Sequence, residues 1–259
     1  MNIPRKILKQ MLSQLSRWAI AKHKIEVIVV AGFTGSEVVR EGIYQILKEK
    51  FIIRRNIERI SWDMSIPLAV LGYEDKRRNL LEWILLIVRA FGAIISNRPN
   101  PHTLVLSANC KFSDTAKFWS SFLSPDYFVA LSGPDQSDIV KNILKGLSPE
   151  KATLIYDIEK FSESDLKYYQ LENLFAFGRK GSGAEIEYDT KTGKLVYKDK
   201  EVKIPTITPL FTYSFIAAVF LTVIKHKLTF EEASVEAIKF DLGMFLTKRI
   251  KSSIERSSR

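Results

Sequence analysis

Cysteine occurs once in the 259 residues, at Cys110, and histidine three times, at His23, His102 and His226. A single thiol excludes an internal disulfide framework and suits a reducing cytoplasm, the expected location. So small a stock of thiol and imidazole argues against a Cys/His zinc site, and the histidines are too scattered to suggest a catalytic base. Cys110 follows an apolar run and reads as a packing residue. Long hydrophobic runs are also missing. Residues 80–95 are broken by Glu82 and Arg89, and 215–224 are fewer still, so no membrane span is expected. A secretory signal is not expected either, because no apolar segment with a small-residue cleavage site follows the charged N-terminus.

Acid is in short supply. Asp and Glu number 29 against 39 Lys and Arg, a net charge of +10. Such a balance invites a nucleic-acid or anionic-membrane reading. The basic clusters at 5–9, 54–59, 76–78 and 248–251 carry no aromatic-interleaved RNA motif, zinc finger or recognition helix, so no specific nucleic-acid partner is expected. Hydrophobic residues at 46% are enough for a sizeable core.

What is present is a clear punctuation of strands and helices. Ile7, Leu8, Met11, Leu12, Leu15, Trp18 and Ala19 share one face of a basic helix, which predicts an N-terminal amphipathic element over 1–24. It is expected to pack on its own domain, with peripheral membrane contact as the alternative. Apolar, β-branched runs at 27–30, 51–54, 104–106, 127–131 and 152–156 alternate with helical spacing, the signature of a mostly parallel sheet covered on both faces. From Leu174 to Ile204 the pattern changes to glycines and two-residue alternation, with a hairpin signal over 189–193; a small antiparallel β appendix is expected there. Two helices close the domain, the second capped by Thr229 with Glu232 three residues on. The domain is thus expected over 25–247, with a basic tail at 248–259.

One stretch carries the functional question. Val27-Ile-Val-Val-Ala-Gly-Phe-Thr-Gly-Ser-Glu37 reads strand, glycine turn, helix, the helix presenting Val38, Ile43, Ile46 and Leu47 on one face. That arrangement aims backbone N–H groups and a helix N-terminus at a phosphate. A working loop of this type ends G-K-S/T, its lysine serving the β/γ-phosphates and its hydroxyl completing a magnesium shell. Here Ser36 and Glu37 hold those positions. Gly32, Thr34, Gly35, Ser36 and Glu37 therefore read as a vestigial phosphate loop, or more simply as an ordinary βα turn.

The order of these segments resembles the central ATP-binding domain of the Mur ligases. The closest branch is the one that adds D-alanyl-D-alanine to the peptidoglycan precursor. The resemblance spans about residues 15 to 251 and rests on several segments. Val27 to Val38 is similar to the family's strand and T-G-S/T-x-G-K-T-S/T loop, and Ser65-Ile-Pro-Leu-Ala-Val-Leu to its G-V-P-L-T-L-L. Leu104-Val-Leu-Ser-Ala-Asn stands where the family has a strand ending E-M-G. Leu123-Ser-Pro-Asp-Tyr-Phe-Val-Ala-Leu resembles K-P-D-I-A-V-V-T, Phe175-Ala-Phe-Gly178 the family's phenylalanine-glycine, and Ile216-Ala-Ala-Val its helix near the adenine.

The resemblance implies ATP and magnesium, but the residues that would hold them are exchanged. Ser36 stands for the phosphate-binding lysine, Glu37 for the next threonine and Ser107 for a magnesium-holding glutamate. Residues 59–63 replace an asparagine-rich segment, Asp135 a histidine, and Leu210 and Ser214 the histidine and asparagine that support the nucleotide. The part bearing a carbamylated lysine has no counterpart. On this resemblance no part of the sequence is expected to match the family's N-terminal UDP-substrate domain, and the resemblance ends about where its amine-substrate domain would begin. Phosphoryl transfer through an acyl-phosphate depends on such clamps. The expectation is a non-catalytic, Mur-ligase-like binding or scaffold module with no cofactor, partnered by a complete Mur ligase or another cell-wall protein. The alternative is a divergent acid–amino-acid ligase using Glu37 or Asp63 for metal and Arg54, Arg55 or Arg59 for phosphate.

Overall fold

The computed structural model describes residues 5–32, 35–48, 50–57, 63–96, 101–108, 113–189, 191–198, 200–203, 209–226 and 228–238, with backbone alone at 113, 209–215, 225, 226 and 236–238. Phe33, Thr34, Arg59, Cys110 and the tail over 248–259 lie outside the described residues.

Strand β1 (Glu26–Ala31) is central, between β3 (Thr103–Ser107) and β4 (Tyr127–Ala130), and all three are parallel. Outward on one side lies β2 (Ile53–Arg55), and on the other β5 (Thr153–Asp157) and β6 (Asn173–Arg179). The β-branched runs explain this placement. A parallel strand is covered on both faces, so it needs an unbroken apolar sequence, and β3 and β5 are buried at every position. Alternate residues feed two cores. Val27, Val29, Leu104, Leu106 and Phe128 face one, together with Trp119, Ile139 and Ile143. Ile28, Val30, Val105, Val129 and Ile155 face the other, with Val39, Ile43 and Phe220.

The antiparallel portion is present as the far edge of the same nine-stranded sheet. Strand β7 (Ile186–Asp189) pairs parallel with β6; β8 (Lys194–Tyr197) and β9 (Lys200–Lys203) then add antiparallel. The expected hairpin turn joins β7 to β8. Asp189 accepts the Lys191 and Thr192 amides, which with Lys180 hold its carboxyl down at about 2. The Asp126 carboxylate accepts the Val27 amide at 2.8 Å and so ties the start of β4 to β1.

Helix α1 (Arg5–His23) rests on α3 (Ser65–Leu71) and α4 (Leu80–Ile95). Leu8, Leu12, Ser16 and Ala19 are buried, and Ser16 donates to the Pro67 carbonyl. Ile7, Met11 and Trp18, read from the sequence as part of one packed stripe, are exposed. The apolar arc of α1 is wider than the surface that receives it. Helix α2 (Ser36–Leu47) buries Val39, Ile43, Ile46 and Leu47. Val38, expected to open that face, is only half-buried, because the buried stripe starts at Val39, four residues before Ile43, and Val38 lies about 100° round the helix from it.

Helices α5 (Ser113–Ser120) and α6 (Asp138–Lys145) cover the first core, while α8 (Pro209–His226) and α9 (Phe230–Ile238) cover the second alongside α2. The predicted Thr229–Glu232 capping box forms at the start of α9, at 3.1 and 3.0 Å. Helix α7 (Glu163–Tyr169) is not among the elements the sequence predicts; Ser162 and Asp165 cap it reciprocally.

Candidate functional site

Sheet order 3-1-4 places the end of β1 at a topological switch point, the crevice in which open α/β sheets bind ligands. The glycine turn sits there. Gly32 has φ +138 and Gly35 φ +90, conformations that favour glycine, and a Cβ on Gly32 would meet the Leu131 Cβ at 2.8 Å. Gly35 immediately precedes α2, so the first amides of that helix face the crevice. Gly32, Gly35, Ser36 and Glu37 thus stand between the end of β1 and the first turn of α2; Phe33 and Thr34, between them, lie outside the described residues.

The side chains around the turn tell a different story. Ser36 and Ser107 are both buried, and the Ser107 hydroxyl donates to the Ser36 hydroxyl at 3.1 Å. Asn56, leaving β2, grips the end of β3 from the other side. Its Nδ2 donates to the Ser107 carbonyl at 3.0 Å and its Oδ1 accepts the Ser107 amide at 2.8 Å. Asn56 is completely buried, and both of its bonds go to a single backbone unit. Nothing in its sequence setting had singled it out: it merely opens a polar segment.

The charges proposed as substitutes point elsewhere. Asp63 is bound by Arg5 at 2.7 Å and Lys9 at 2.6 Å. Burial opposes its ionisation, yet the hydrogen bonds and charges of those two cations outweigh burial and hold its carboxyl below the ordinary range. Arg54 donates to the Val70 carbonyl at the C-terminal end of α3, and burial lowers its pKa. Arg55 pairs with Glu41 at 2.8 Å and lies over the Tyr44 ring at 3.6 Å. Each is part of a structural contact on α1, α3 or α2. Arg59, the remaining cation, lies outside the described residues.

ATP and magnesium, which the sequence resemblance implies, require a cation against the phosphates and carboxylates around the metal. The described residues at 36 and 107 supply neither. Two neutral hydroxyls bonded to each other stand where the resemblance puts a lysine and a glutamate. Among the described residues no group of three or more His, Cys, Asp or Glu side chains converges on a point where an ion would sit.

The remaining motif residues serve packing. Ala217 and Ala218 are buried in α8, where a Cβ on Gly42 of α2 would come 3.3 Å from the Ala218 Cβ. Phe177 is fully buried, and a Cβ on Gly178 would clash with Ser182 and Ile158 at 2.6 and 2.7 Å. Asp135 is exposed beyond β4. The side chains of Leu210 and Ser214 lie outside the described set.

No protein-family model and no curated protein matches the sequence. Solved structures do. MurF ligase from Thermotoga maritima, determined in complex with ADP, superposes with a TM-score of 0.61 at 15% identity, covering 87% of this chain and 52% of that one. The fold is that of the Mur ligases. MurF from Acinetobacter baumannii gives 0.64 at 13% identity over 90% of this chain and 50% of its own. The UDP-N-acetylmuramate:L-alanyl-gamma-D-glutamyl-meso-diaminopimelate ligase from Neisseria meningitides gives 0.55 at 11%, covering 89% and 70%. The chain thus spans about half the length of the MurF ligases it resembles. The mixed sheet of mostly parallel strands with an antiparallel edge is common ground with this fold, and no described helix is long and apolar enough to cross a membrane.

Proposed function

We propose that this chain is a non-catalytic binding or scaffold module on the Mur ligase fold, working beside a complete ligase in peptidoglycan-precursor synthesis. The observation that carries this reading is the Ser36–Ser107 hydrogen bond at the end of β1 and β3. It replaces two opposite charges by two neutral groups that satisfy each other. A triphosphate entering this turn would meet backbone amides but no lysine at that position, and its metal would meet no glutamate. The resemblance of the surrounding fold to MurF, one structure of which holds ADP, supports descent from a nucleotide site. The reading as a divergent acid–amino-acid ligase draws no support from Asp63, Arg54 or Arg55, whose side chains are engaged elsewhere.

The test is thermal melting of the whole chain with and without Mg-ATP. A ligand present at about 100 times its Kd stabilises by about 2.7 kcal/mol, a shift of several degrees. No shift is expected up to about 1 mM nucleotide, where a site with micromolar affinity would be saturated. A saturable rise at micromolar Mg-ATP overturns the proposal. For the partner, titration calorimetry against a complete MurF ligase should register a complex that survives removal of nucleotide.

A further inference from the structure

Helix α4 is apolar over most of its circumference, interrupted by the stripe of Glu82 and Arg89. Leu86, Ala90 and Ile94 face inward, and Leu86 joins Leu8, Leu12 and Leu68 in a small core under the helix pair. On the opposite side Leu81, Ile84, Leu85, Val88, Phe91 and Ile95 are exposed, Leu81 to 75% and Val88 to 61%. A helix of this composition is normally buried on all sides, and six large aliphatic or aromatic side chains on one solvent face form a patch that marks an interaction site. The patch continues onto α1: the Trp18 ring stands 5.4 Å from Phe91, and Ile7 and Met11 lie exposed on the same helix.

The charge beside this patch is mostly positive, with Glu74 and Asp75 next to the basic run at 76–78. Helix α1 carries Arg5, Lys6, Lys9, Arg17 and Lys22 and no acid. Lys76, Arg77 and Arg78 lead into α4, and Arg89 lies on it. Lys6, Lys76, Arg77 and Arg89 reach no carboxylate among the described residues. Glu82, the acid within α4, is spent on the N-terminal capping box with Asn79.

We propose that the α1–α4 face docks on a membrane surface bearing anionic phospholipid, with α4 lying in the interface plane. At 16 residues α4 is about 24 Å long, too short to cross the bilayer but suited to lying along it with its apolar side among the acyl chains. Lys6, Lys76, Arg77 and Arg89 then meet phosphate headgroups, while Arg5 and Lys9 stay on Asp63. A second copy of the chain is a poorer occupant, because isologous pairing would set the cations of one α1 near those of the other. This inference is independent of the state of the glycine turn.

The experiment is co-sedimentation of the full chain with vesicles of phosphatidylcholine alone or with about 30% phosphatidylglycerol. Partitioning at least about tenfold stronger to the anionic vesicles is expected at about 0.1 M salt, with a measurable remnant at about 0.5 M from apolar insertion. Leu81→Glu with Val88→Glu, both at solvent-facing positions, should abolish that remnant while melting like the parent. Lys76→Glu with Arg77→Glu should lower anionic binding and leave the fold intact. Trp18 fluorescence should be quenched by brominated acyl chains and spared in phosphatidylcholine. Equal binding by the Leu81/Val88 variant, or no binding to anionic vesicles, overturns the proposal; so does a stable dimer that the same variant dissociates.

Discussion

The hydroxyls of Ser36 and Ser107 meet at 3.1 Å between the first residue of α2 and the last of β3. This pair is small, neutral and buried, and Ser36 belongs to the same turn as Gly35 with its left-handed backbone. Glycine backbone outline and neutral side chains thus meet at one point of the sheet. The outline is fixed by the switch in strand order and by glycine. The chemistry is set by two residues that the outline does not constrain.

Ser107→Glu alone should be costly, because it places a carboxylate at a fully buried position with no cation opposite. A loss of about 3 kcal/mol or more is expected in urea unfolding. Ser107→Ala removes one neutral hydrogen bond and should cost about 1 kcal/mol. If the site keeps the geometry of an ion pair, Ser36→Lys combined with Ser107→Glu will recover about 1–3 kcal/mol relative to the sum of the single changes. Strict additivity in that cycle would show that the two positions no longer address each other.

Asn56→Ala should cost about 2–3 kcal/mol, since it leaves the Ser107 carbonyl and amide without their side-chain partner in a dry setting. Asn56→Asp keeps the acceptor for the amide but sets a carboxylate oxygen against the carbonyl. That variant should be weaker at pH 7 than near pH 4, where a protonated carboxyl can donate. Urea melts at the two pH values decide it. A neutral Asn56→Ala would mean that water replaces the amide without loss.

The parallel sheet, the glycine turn and the Thr229 cap were legible because each is written locally, as an apolar run, a pair of glycines or a short capping pattern. Ser36 and Ser107 were also visible, as residues that the resembled motif does not carry. What escaped depends on distance through space. Asn56 matters because β2 ends beside β3, 51 residues away in sequence, which no spacing rule conveys. The solvent exposure of Trp18 and of the outer face of α4 is set by which neighbours are missing, and amphipathic periodicity says nothing of that. Gly178 looked like a motif residue and proves to be required by the close approach of Ile158 and Ser182.

Gly42 and Ala218 bring α2 and α8 together, and the Cβ of an alanine at 42 would sit 3.3 Å from that of Ala218. Two effects oppose each other. Alanine gains up to about 1 kcal/mol in helix propensity, while the contact asks the helices to part by a few tenths of an ångström. Gly42→Ala should therefore fall within about 1 kcal/mol of the parent. Gly42→Leu has no such offset and should cost about 3 kcal/mol through overpacking. Thermal melts of both separate propensity from fit. Should Gly42→Leu match the parent, the helices are less closely held than the distance implies.

Asp157, at the end of β5, is buried, its Oδ1 accepting the Glu159 amide at 3.0 Å. Burial pushes its carboxyl above the ordinary value of 3.8, with the nearby charge of Glu159 adding to the shift, while the amide bond, Lys160 and Arg179 offset it in part. Between that ordinary value and the raised folded one, the folded chain holds a proton that the unfolded chain has released. Stability from this group is therefore complete below pH 3.8, falls as pH rises through the folded pKa, and stays reduced at neutrality. Asp157→Asn keeps an oxygen for the Glu159 amide and cannot ionise. Its Tm should exceed that of the parent at pH 7, and the difference should shrink toward zero as the pH is brought down to about 3. A variant less stable than the parent at pH 7 would mean that the carboxylate charge is used, and the end of β5 would then have to be counted with the crevice at β1.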